Sequence, residues 1–189
     1  DLDGMKEKIQ ELKDEMIKGD AWAAMDKELP PTAIKYKEAQ VDDMGTRGKI
    51  IEVDPLTKVP GPWAVGSRAN NRVLNPGWNQ IPLEQRADWN ACHMLAERTN
   101  GPGNNPENLF PGRNSLNAKL RKPEGEAYRR IQDGEILKYS VEITYEQDSF
   151  YPVGKIRILI QRRVDNGNAI QYADIYKENL DASTPPEDP

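Results

Sequence analysis

Apolar residues at steps of 4, 3 and 4 (Met5, Ile9, Leu12, Met16) place one stripe on a helix over residues 3–18, with Glu7, Lys8, Glu11 and Asp14 mostly off it. Two heptads are too few for a free coiled coil, so this helix is expected to need the body of the protein or a protein partner. Residues 19–48 read as irregular, with a break at Pro30-Pro31. Residues 49–53 read as a short strand ended by Asp54-Pro55. Residues 60–88 are loop-rich, with Trp63 and Trp78 as packing anchors. Pro123 is expected to divide a helical stretch into 115–121 and 124–133, the second closed by Gly134. Tyr139, Val141, Ile143 and Tyr145 alternate with polar residues, as on a half-buried strand. Ile156, Ile158 and Ile160 repeat the period. After the turn signal Asp165-Asn166-Gly167, residues 169–176 read as the returning strand. The Pro- and acid-rich 181–189 read as a disordered tail. The expected organisation is an N-terminal helical and irregular extension (1–48), one α+β domain (49–180) and that tail.

Composition narrows the chemistry. With 37% hydrophobic residues in 189, the core is modest and the loops are long. No apolar run approaches the ~20 residues of a membrane span, and the charged first twenty residues do not resemble a signal peptide. One cysteine (Cys92) excludes an intramolecular disulfide and a Cys-cluster zinc site; one histidine (His93) excludes any mechanism that needs two imidazoles. The net charge of −5 does not advertise a polyanion ligand, but the charge is uneven. Residues 1–30 carry five Lys against nine Asp and Glu, whereas residues 111–164 carry eleven Lys and Arg against seven acids. An anionic substrate is compatible with the basic half.

The informative stretch is 89–126. It offers one imidazole, a Gly/Asn/Pro loop, an Asn-Leu step, Asn114 and Asn117, then Glu124 and Glu126. A strand, loop, strand and helix in that order would bring His93 and Asn117 together. A neutral imidazole can take a proton from water near neutral pH. Magnesium keeps several waters and accepts few protein ligands, so an Asn oxygen and a carboxylate suffice for it. The set therefore suits metal-assisted phosphodiester hydrolysis. Plainer roles exist for each residue: a hydrogen-bonded packing histidine, turn-holding amides at Asn108 and Asn114, and first-turn acids at Glu124 and Glu126. Gly101-Pro102-Gly103 lacks the Lys-Ser/Thr of a P-loop.

His93-Met94-Leu95, Gly101-Pro102-Gly103, Asn108-Leu109-Phe110-Pro111-Gly112 and Asn117 occur in an order that resembles the DNA/RNA non-specific endonuclease family of the ββα-metal (His-Me finger) superfamily. The similarity covers roughly residues 88–163 and extends to nuclease domains of bacterial toxins and contractile-injection-system effectors. It implies a ββα-metal core with an antiparallel sheet and non-specific cleavage of DNA, with RNA as an alternative substrate. It further implies His93 as general base, Asn117 as ligand to Mg2+ or Mn2+ with Asn114 as a second candidate, and Glu124 or Glu126 assisting through metal-bound water. Arg113, Arg121 and Lys122 are candidates for phosphate contact, and secretion or delivery into a target cell is implied. Better-known members carry Arg-Gly before the histidine, where this chain has Ala91-Cys92. That departure favours the rival reading, a catalytically silent binding or structural module of a larger assembly.

Overall fold

The computed structural model describes residues 1–18, 29–163 and 169–179. Two compact units divide it, Asp1–Pro30 and Pro31–Pro189. In the first, helix α1 (Leu2–Lys18) forms as its periodicity predicts, and Leu2, Met5 and Ile9 are exposed along it.

The second unit is built on a five-stranded antiparallel sheet. Its strands are β1 (Ile34–Asp42), β2 (Gly45–Leu56), β5 (Leu137–Ile143), β6 (Gly154–Arg163) and β7 (Ala169–Asn179), in the spatial order β1-β2-β5-β6-β7. The alternation predicted for 139–145 and 156–160 is the observed one. Leu137, Tyr139, Val141 and Ile143 are buried, and so are Ile156, Ile158 and Ile160. The β7 return is present, and its turn lies outside the described residues, as do residues 181–189.

Two expectations about the first half are corrected. The stretch expected to be irregular is a strand from Ile34 onward, paired with β2 from Ile34↔Val53 to Asp42↔Gly45. Its side chains alternate only between half-buried and exposed, so no apolar run marks it. Strand β2 also continues through Asp54-Pro55 to Leu56. Its pairing with β5 shifts register between Val53 and Leu56, which accommodates a proline that cannot donate to the ladder.

The other elements form a ββα unit. Strands β3 (Trp89–His93) and β4 (Leu109–Arg113) pair antiparallel, with His93 opposite Leu109 and Trp89 opposite Arg113. Helix α3 (Asn114–Gln132) begins at the next residue. The hairpin lies between two apolar clusters. Cys92 and Phe110 enter the main core with α3 and the sheet, while Trp89, Ala91 and Leu109 join Leu74, Ile81 and Phe150. The second cluster is completed by a one-turn helix, α2 (Asn75–Trp78), whose Trp78 meets Phe150 edge-on at 6.0 Å.

Pro123 does not split α3. Leu116, Leu120, Pro123, Ala127 and Ile131 form one buried stripe, and the proline ring falls on it in register. The helix loses one backbone hydrogen bond at Pro123 but keeps a continuous apolar face against the sheet. Trp63, expected to pack, is instead 90% exposed.

Candidate active site

The loop between β3 and β4 positions the imidazole. Asn108 is fully buried and clamps this loop from within. Its Oδ1 accepts from the Leu95 N–H at 3.0 Å, and its Nδ2 donates to the carbonyls of Leu95 and Pro102, each at 3.0 Å. Gly101 and Gly103 are there because backbone approaches them too closely for a side chain. A Cβ at Gly101 would stand 1.7 Å from the Leu95 carbonyl oxygen, and one at Gly103 would stand 2.0 Å from that of Arg68. That approach joins residues 67–70 to the loop. Ser67 N–H donates to Gly101 O (3.2 Å), Gly103 N–H to Ser67 Oγ (2.7 Å) and Asn70 N–H to Gly103 O (2.8 Å).

Ser67 thereby presents its carbonyl to His93 Nε2 at 2.8 Å. A carbonyl only accepts, so Nε2 carries the proton and Nδ1 keeps a lone pair. Burial pushes the imidazole pKa below its ordinary value, and the Ser67 carbonyl and Glu97 pull the other way. The ring is therefore held neutral, in one tautomer, with Nδ1 available as a base. Cys92, the preceding residue, faces away into the main core, where burial raises its thiol to about 12.

His93 lines a cavity of about 560 Å3 with Ala96, Glu97, Arg98, Asn117, Arg121 and Glu124. Asn117 reaches it from the first turn of α3, and Arg121 and Glu124 follow at helical steps of 4 and 3. The ββα order thus brings His93 and Asn117 to one place, as the sequence predicts. Burial raises Glu124 to about 7, while Arg98 and Arg121 pull it down. Arg98 also donates to the Arg121 carbonyl at 3.4 Å and lies over the Tyr128 ring at 5.2 Å. A second cavity of about 660 Å3, also bordered by Asn117, is lined by residues 68–72 with Asn90 and Ala91. Its cations are Arg68 and Arg72. Ala91 borders the same cavity as these two arginines.

Other sequence candidates lie elsewhere. Glu126 is two residues from Glu124, on a different helix face. It accepts from Arg129 at 2.9 Å and Arg130 at 2.8 Å, which holds its pKa below the usual value. Asn114 Oδ1 accepts from Asn90 Nδ2, and its Nδ2 donates to the Ala87 carbonyl, so its amide fastens the start of α3. Arg113 is buried, with its guanidinium over Trp89 at 5.5 Å and near Asp88 at 4.0 Å. Lys122 is exposed and outside the lining of either cavity. Residue-by-residue reading missed Arg98, Arg68 and Arg72, which reach the site through loop folding rather than through spacing.

Among the described residues no group of three or more His, Cys, Asp or Glu could cage a metal ion. A zinc-type site is therefore a poor fit. One amide oxygen and one carboxyl beside an open, hydratable cavity do fit an ion that keeps most of its waters, as magnesium does.

One cavity on the ββα unit thus brings together an imidazole, an amide and a carboxyl with the cations of Arg98 and Arg121. Residues 34–163 match the family model of the DNA/RNA non-specific endonucleases, and the chain belongs to that family. In fold it is similar to a solved "extracellular endonuclease", at 13% identity and a TM-score of 0.50 over 83% of each chain. It is also similar to NucA from Streptococcus agalactiae, solved with no metal bound, at 14% identity and a TM-score of 0.47 over 82% of this chain and 73% of that one. The same NucA with a magnesium ion bound gives 12% identity and a TM-score of 0.45, over 82% and 74%. No curated protein matches the sequence.

Proposed function

We propose that the chain is an active, divalent-cation-dependent endonuclease that cuts DNA, and in principle RNA, without reading base sequence. The observation that carries this reading is the His93 tautomer. Ser67 fixes the proton on Nε2, and the lone pair on Nδ1 belongs to a residue lining the Asn117 cavity. A packing histidine needs neither the cavity nor the facing amide.

In this reading His93 Nδ1 takes a proton from the attacking water. Asn117 Oδ1 is the protein ligand of a hydrated Mg2+ or Mn2+, which when bound stabilises charge on the phosphate and the leaving oxygen. Glu124, which lines the same cavity, hydrogen-bonds water there. Arg98 and Arg121 hold the phosphate backbone on one side of Asn117, and Arg68 and Arg72 hold it on the other. Contacts confined to phosphates carry no base information, which makes cutting indifferent to sequence. The silent-module reading draws on the Ala91-Cys92 departure, and the arginines that line a cavity together with Ala91 weaken it. We also assign the protein to a secreted or delivered setting, as a toxin or effector. The resemblance to toxin domains supports this, as does the name of one structural neighbour as extracellular.

Nicking of supercoiled plasmid with EDTA, and again after adding back magnesium or manganese, tests the proposal. Nicking that needs the cation supports it. Full activity in EDTA refutes the cation requirement, and no nicking under either condition supports the silent module.

A further inference from the structure

Trp63 bears two costs at one residue. It lies in a turn from Gly61 to Ala64, closed by Ala64 N–H to Gly61 O at 3.0 Å and Gly61 N–H to Ala64 O at 3.2 Å. Pro62 and Trp63 are the central residues, and Trp63 has φ +63°. That second central position takes the left-handed conformation, where glycine or asparagine is usual and a bulky aromatic is strained. The indole gains no burial in return, since it is 90% exposed. Trp89, by contrast, is 2% exposed, and Trp78 packs on Phe150.

The turn that presents Trp63 is anchored. Ala64 is fully buried, and a Cβ at Gly61 would stand 1.9 Å from the Thr32 carbonyl oxygen. Four residues later the same segment supplies the Ser67 carbonyl that orients His93. At no more than ~3.6 Å per residue, the Trp63 and Ser67 backbones are within about 14 Å of each other. Between them a cavity of about 350 Å3 is lined by Trp63, Val65, Ser67, Pro102, Asn104 and Asn105. It combines an aromatic face, exposed Val65 and the exposed amide of Asn104, and none of the described residues that line it is an acid.

We propose that Trp63 is a stacking platform for an unpaired nucleobase of the substrate strand, a short distance along the backbone from the phosphate held at Asn117. The proposal rests on the nuclease reading for its ligand. It adds a preference for single-stranded or locally opened nucleic acid, because a paired base has no free face to offer. Stacking tolerates any base, so the platform raises affinity without adding sequence specificity.

The test is binding of a twelve-residue oligothymidylate in EDTA, followed by tryptophan fluorescence and by anisotropy of an end label. A backbone of the same length with abasic sites serves as comparison. Trp63→Gly suits the left-handed φ and should keep or raise the melting temperature, while weakening oligothymidylate binding about 5- to 150-fold and removing most of the quenching. Trp63→Phe should keep most of the affinity. The abasic strand should bind both variants and the wild type equally weakly. Wild-type affinity in Trp63→Gly overturns the proposal, as does equal discrimination against the abasic strand by that variant. A lower melting temperature in Trp63→Gly with unchanged binding assigns the residue to packing and also overturns it. Because binding is read without cleavage, failure of the platform leaves plasmid nicking intact, whereas failure of the nuclease reading leaves quenching without nicking.

Discussion

Asn108→Ala should loosen the site from behind, and the structure sets the size of the effect. The substitution removes three buried hydrogen bonds, each 3.0 Å long. Each contributes about 1 kcal/mol net, and the stranded Leu95 N–H adds a desolvation penalty of about 1–3 kcal/mol. The total is roughly 4–6 kcal/mol. In a domain of this size 1 kcal/mol moves the melting temperature by about 2–4 °C, so a fall of roughly 8–24 °C is expected by calorimetry. The same clamp holds the loop that delivers Glu97 and Arg98 to the cavity, so cleavage per folded molecule should fall as well. Asn117→Ala, at a half-buried cavity position, should shift the melting temperature by no more than about 2 °C while abolishing cleavage. An Asn108→Ala protein that melts within 1–2 °C of wild type would refute the assignment of loop rigidity to this side chain.

Two further predictions concern pH. Burial lowers the His93 pKa, so the neutral, proton-accepting form persists below pH 6.5. The initial nicking rate should therefore be flat down to about that pH and fall only below it, and a fall beginning well above it would contradict a base of depressed pKa. For Glu124 the sign is opposite. Its folded-state pKa is raised to about 7, so between its ordinary value and 7 the folded protein holds a proton that the unfolded chain has released. In EDTA, wild type should lose stability relative to Glu124→Gln as pH rises through that window, read as a difference in melting temperature. A pH-independent difference would contradict the buried carboxyl.

The site was legible where chemistry and chain order coincide. His93 is the only imidazole, and strand, loop, strand and helix in sequence fix where Asn117 arrives. Glu124 and Glu126 could not be separated by composition, because only the helix phase puts one in the cavity and the other against Arg129 and Arg130. Strand β1 was missed because neither face is fully buried, which erases the alternation on which strand reading depends. Local propensity disfavours an internal proline and so predicts a break at Pro123, but an unbroken apolar stripe on the sheet overrides it. Arg68, Arg72 and Arg98 reach the site through loops stitched by close glycine contacts, a tertiary arrangement that no local pattern encodes. Residue type alone makes Trp63 an anchor, whereas the left-handed turn that carries it leaves it exposed.

The central claim is that His93 is the base, and His93→Ala tests it most directly. The variant loses one hydrogen bond to Ser67, worth about 1 kcal/mol, so it should stay folded with a melting temperature within about 4 °C of wild type. A positioned general base contributes about 10²–10⁴-fold, and no second imidazole exists to replace it. Single-turnover nicking of supercoiled plasmid at saturating magnesium should accordingly slow by about 10²–10⁴-fold in folded His93→Ala. Nicking at close to the wild-type rate would contradict the account.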